Sequence, residues 1–143
     1  MIFFRLSLFS IVFALSALNI LAAPTVAGTM RGCLNYEPAE VALEGTISRR
    51  TFMKASDQKE VVWILRLAKP VCVNADEGSD FNVERSRVTD VQLVLDSDMY
   101  TKYRRLLGKK VRATGTLFGE HTAHHFTPIL LDVTAVKLLS RIQ

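Results

Sequence analysis

The sequence has no long run of like charge, no low-complexity tract and no internal repeat. Those absences exclude a disordered chain and a repeat array. With 143 residues and an ordinary apolar share, one domain is expected and not two. Catalytic signatures are missing as well. No Gly-x-Ser-x-Gly elbow, phosphate loop or His-Glu-x-x-His helix occurs. An enzyme is therefore not the expected class, although a hydrolase with a histidine base stays open. A strong basic excess is also lacking. The formal charge is +4 and the pI about 9.3. The cations are spread, with Arg49-Arg50, Arg104-Arg105 and Lys109-Lys110-Arg112 as the local clusters. Such a balance suits a solvated face or an acidic partner at a cell envelope. Nucleic acid is not an expected partner outside the cytoplasm.

An exported setting is what the N-terminus suggests. Residues 1–27 carry one positive charge, Arg5, then an apolar run from Leu6 to Leu21, then small residues. That is the layout of a secretory signal peptide. Thr25-Val26-Ala27 offers a cleavage site, so a mature domain over 28–143 is expected, in the periplasm or secreted. Cleavage after Ala22 is the alternative, and an uncleaved membrane anchor is the rival reading. No membrane span is expected after cleavage. Cys33 is no lipid-attachment site, because Arg31 and Gly32 precede it. The only two cysteines, Cys33 and Cys72, both fall in the mature part. An even number in an exported chain favours a disulfide over two buried thiols.

The mature part alternates in period two, which argues strands. In the first strand Val41, Leu43, Gly45 and Ile47 share a face. Residues 53–60 read as a hairpin loop. Residues 61–67 form a second strand with Val61, Trp63, Leu65 and Leu67 on one side, and Pro70 is expected to interrupt it. Residues 74–87 read as a long polar loop. A third strand spans 88–95. Asp96 or Ser97 can cap a short helix carrying Met99, Tyr103 and Leu106, with Gly108 as its C-terminal stop. Residues 109–118 and 128–139 give two last strands. The order β-β-β-α-β-β is that of the OB-fold, a five-stranded Greek-key barrel. Gly45 and Gly115 suit its bends. An open antiparallel sheet with a covering helix is the alternative.

Two candidate sites emerge. All three histidines, His121, His124 and His125, fall between strands four and five beside Glu120. Clustered imidazoles can hold zinc or copper; a loop whose histidines bond its own backbone is the plainer reading, and no cofactor is expected on balance. OB-folds also bind ligands through the loops after strands one and four. Those loops would bring Arg49, Arg50 and Phe52 to Glu120, Phe126 and the histidines as a binding surface.

Four segments resemble one family. They are Cys33-Leu34-Asn35-Tyr36-Glu37-Pro38; residues 43–52 (LEGTISRRTF); Trp63-Ile64-Leu65 with residues 69–75 (KPVCVNA); and Gly115-Thr116-Leu117-Phe118 with His121-Thr122 and His124-His125. Together they are similar to the small exported bacterial domain-of-unknown-function family 4431. The resemblance implies an exported protein of a Gram-negative bacterium and sets both cysteines and the histidine loop inside a recurring pattern. It implies no activity or substrate. The function expected is a non-catalytic binding module for a protein or envelope component, as an inhibitor, immunity or accessory protein, with a metal-binding protein as the alternative.

Overall fold

Five strands and one short helix account for most of residues 32–140, the part of the chain that the computed structural model describes. The signal-peptide expectation over 1–27 lies outside the described residues. The strands are β1 (Glu40–Met53), β2 (Lys59–Val73), β3 (Arg85–Val94), β4 (Lys110–Gly119) and β5 (Ile129–Leu138). Between β3 and β4 come α1 (Ser97–Tyr103) and a 3-10 turn (Arg104–Leu106).

The strands close in a ring in the order β1-β2-β3-β5-β4, with β4 returning to β1. Every pairing is antiparallel except β3 with β5. This is OB-like topology. It overturns the alternative of an open antiparallel sheet, because the ring leaves no free end strand and includes one parallel pair.

Alternation decides what faces inward. Ile47, Leu65, Val91, Val111, Leu117 and Leu131 are fully buried and share one core with Trp63. Trp63 is thus a core residue, as its place in an alternating strand suggests. The helix closes one end of the ring. Asp96 accepts a hydrogen bond from the Met99 N–H at 2.8 Å, which starts α1. Tyr103 is buried in the core, and Met99 and Leu106 pack against it. Gly108, at φ 74°, ends the turn.

The glycine expectation has a steric reason. Gly45 faces Leu67 of β2 on one side and Val111 of β4 on the other. Gly115 sits at a register shift where β5 carries one extra residue. A Cβ on Gly115 would stand 1.9 Å from the Asp132 carbonyl oxygen.

Three boundaries differ from expectation. The first hairpin is tighter than residues 53–60, because β1 and β2 pair as far as Met53 and Lys59. This hairpin overshoots the ring, so Val61 is 56% exposed and not inward-packed. Pro70 does not break β2; it sits where the register with β3 shifts between Arg66 and Val71, a place that needs no N–H. β3 begins at Arg85, which shortens the polar loop to 74–84.

Cys33 and Cys72 form a disulfide with Cα atoms 4.7 Å apart. It fastens the segment before β1 to the end of β2, where Leu34 bridges Val73. The closed loop spans 39 positions, and cross-linking a loop of that size stabilises by on the order of 4 kcal/mol in the chain-entropy model.

Two outcomes are expected from thermal melts followed by circular dichroism. Replacing both cysteines by serine should lower the midpoint by roughly 10 °C or more, given about 4 °C per kcal/mol for a domain of this size. Gly115→Ala should be as damaging, because backbone and not a flexible side chain occupies the space.

Candidate binding surface

The face of β2 and β3 where OB-folds meet ligands is not open in this chain. Ile64, Gln92 and Leu130 stand in one row across β2, β3 and β5. Their positions point away from the core, yet all three are buried. The loop 120–128 covers them, and Gln92 holds it there. Its Nε2 donates to the His124 carbonyl at 2.9 Å, and its Oε1 accepts from the Phe126 N–H at 2.8 Å. The Gln92 backbone N–H donates to Thr127 Oγ1, whose hydroxyl donates to the Ile129 carbonyl. Both the nitrogen and the oxygen of the amide are thus hydrogen-bonded in a site only 6% exposed. Sequence reasoning missed Gln92, which reads as an ordinary outward polar residue of a half-buried strand. Its one signal is the apolar residue, Ile64 or Leu130, on the same outward parity of each neighbouring strand.

Two contacts fasten the loop to the first hairpin. Phe126 stacks on Phe52, with centroids 4.6 Å apart and planes 11° from parallel. The His124 Nδ1–H donates to Glu60 at 2.8 Å, and Lys54 holds the same carboxylate at 2.6 Å. Hydrogen bonding from Lys54, then from His124, keeps the Glu60 carboxyl below its ordinary pKa against the opposing effect of burial.

The three histidines do not converge. His121 Nδ1–H donates to the Gly119 carbonyl at 3.0 Å, and His125 Nδ1 accepts from the His121 backbone N–H at 3.0 Å. The rings of His121 and His125 meet edge-on at 4.6 Å beside Phe118, while His124 turns to Glu60. Each Nδ1 is therefore committed to a local bond. Among the described residues no group of three histidine, cysteine or carboxylate side chains is placed to hold a metal ion. Burial, and then the charges of His121 and His124, hold His125 below its ordinary pKa, with Glu120 opposing.

The expected surface divides. Arg50, Phe52 and Phe126 come together on one groove of about 430 Å³, which continues along Arg85, Arg87 and Asp90. Glu120 borders it through an ion pair with Arg85 at 3.5 Å. Arg49 does not join them. It alternates to the opposite side of β1 and faces Trp63, Tyr100 and Arg104. Asp90 draws in both Arg50 at 2.8 Å and Arg66 at 2.6 Å. Two features there were not expected. Arg87 lies at φ 54°, a left-handed conformation costly for a side chain of its size. Arg85 Nε is buried with no well-directed hydrogen bond of its own, and the guanidinium lies close enough to the Tyr36 hydroxyl to act on it.

This geometry defines a small OB-like β domain whose usual ligand face is covered by its own loop and whose open groove is cationic and aromatic. Residues 90–137, from the middle of β3 to the end of β5, match the family model described as Domain of unknown function (DUF4431). The match bears out the resemblance and takes in Gln92 and the histidine loop, while both cysteines lie outside it. No curated protein and no solved structure matches the chain.

The depressed His125 gives a signed pH dependence. Above about pH 6.5, the ordinary histidine value, its contribution to stability is complete. As pH falls from there toward the lower folded value, the unfolded chain binds the proton first and stability declines. Glu60 adds a separate loss below its ordinary value of 4.5. Urea melts across pH 2.5–8 should show both, and His125→Asn should remove the upper decline.

Proposed function

We propose that the chain is a non-catalytic binding module of an exported setting, acting as an accessory or inhibitory protein. The groove beside the Phe52–Phe126 stack takes an acidic segment of a protein or envelope component. The observation that carries this reading is the pair of arginines at its edge. Arg87 is kept in a strained conformation, and Arg85, with a buried Nε that lacks a well-directed hydrogen bond, is held only loosely by Glu120 at 3.5 Å. Strain and unmet hydrogen bonds of this kind persist where they serve recognition. A carboxylate or phosphate entering the groove would compete with Glu120 for the outer nitrogens of Arg85 and meet Arg87, which has no carboxylate of its own among the described residues. The stacked rings supply a rigid apolar wall next to those donors.

The reading predicts opposite effects on binding and stability. Arg87→Gly should raise the melting midpoint by a few degrees, since glycine accepts a positive φ without the penalty of about 1 kcal/mol. The same substitution should weaken partner capture about tenfold or more, the loss typical of a central arginine. The check is a photo-crosslinking residue at Ser86 in cells producing the full chain. One trapped partner, reduced in yield by Arg87→Gly and Arg85→Ala, supports the groove. Undiminished yield in both variants removes it.

A further inference from the structure

Charge is divided between the two ends of the ring. Lys102, Arg104, Arg105, Lys109, Lys110 and Lys137 gather where α1 ends, β4 begins and β5 ends. Among the described residues none of the six has a carboxylate within ion-pair distance. Acidic groups on that side are few. Asp96 caps α1, Asp98 stands in its first turn, Glu44 is held by Arg112, and Glu60, near Tyr100 of α1, is held by Lys54 and His124. At the opposite end, Glu37 and Glu40 lie before and at the start of β1, and Asp76, Glu77, Asp80 and Glu84 lie in the loop 74–84, where they outnumber Arg85 and Arg87 at the start of β3. A domain with this dipole orients its helix side toward any negative surface.

That side also has apolar surface. A groove of about 650 Å³ runs between α1 and the end of β5, where four of the cations flank Leu106 and Leu138. Leu138 is 55% exposed. We infer that this end docks on a bilayer containing anionic phospholipid, with the cations at the phosphates and Leu138 toward the acyl boundary. The composition of the face favours this occupant over the others. Lysine is depleted in protein interfaces, where buried aromatics dominate. Single-stranded nucleic acid needs exposed rings for stacking, and Tyr103 in this groove is buried. Lysines around one exposed aliphatic side chain match what a charged leaflet offers, with each cation raising affinity about fivefold. This surface is separate from the groove at Arg85 and Arg87, and either can fail alone.

The test is co-sedimentation of the purified full chain with vesicles at low salt. Phosphatidylglycerol-rich vesicles are compared with pure phosphatidylcholine ones, which read whatever the apolar N-terminal run contributes. Binding is expected to be stronger on the anionic vesicles and to fall with added salt. Lys109→Ser/Lys137→Ser should lower it about 30-fold, two charges at about fivefold each. Lys59→Ser/Lys69→Ser removes the same charge from β2 and should leave binding nearly unchanged. Equal binding to both vesicle types, or equal losses in the two double variants, overturns the inference. Should the first double variant melt early, the wild-type salt titration decides, and salt-independent binding overturns it too.

Discussion

Everything in this fold depends on β1 pairing along both of its edges. One strand serves β2 in its second half and β4 in its first, and the two registers overlap at Gly45 and Thr46. A side chain on Gly45 would strike the Arg66 carbonyl, 2.3 Å from its Cβ position. Only a bare backbone lets the strand turn the corner, and without that corner the five strands would lie open. Closure then fixes the interior, the position of the helix across one end, and the gap beside β3 that the loop 120–128 fills.

The loop is the second level of organisation. β5 accompanies β3 only from Gln92 to Val94, so the first half of β3 has no strand on that side. Gln92, Thr127 and the Phe52–Phe126 stack close the gap with side chains. The histidines belong to this closure. Their ring nitrogens are bound to Gly119, Glu60 and the His121 backbone, which is why their clustering in sequence does not become a common coordination point.

Period-two alternation makes the strands legible in the sequence, because inward and outward positions differ sharply at Val111, Ala113, Gly115 and Leu117. The helix is legible through its caps, Asp96 and Gly108. Ring closure is suggested only by element order, since periodicity says nothing about which strands pair. The candidate site is less legible. Phe52 and Phe126 can be guessed from loop positions, but Arg49 cannot be separated from Arg50 without knowing which side of β1 faces the groove. Gln92, Arg85 and Arg87 are invisible for a related reason. Their roles come from a loop folded over the outside of the ring and from a single backbone angle, and neither leaves a pattern in composition or spacing.

The disulfide and the topology also determine how the domain would carry tension. The described chain enters beside the end of β2, at Cys33, and leaves past β5 at the opposite end of the ring, where the Leu139 N–H donates to the Lys110 carbonyl. A pull between these points runs along β1, β4 and β5, so their ladders are loaded in shear and must slip together. Because Cys33 is bonded to Cys72, the same pull also reaches β2. The architecture therefore meets a pull between these two points with several ladders at once, and the disulfide keeps β2 among the strands that share the load.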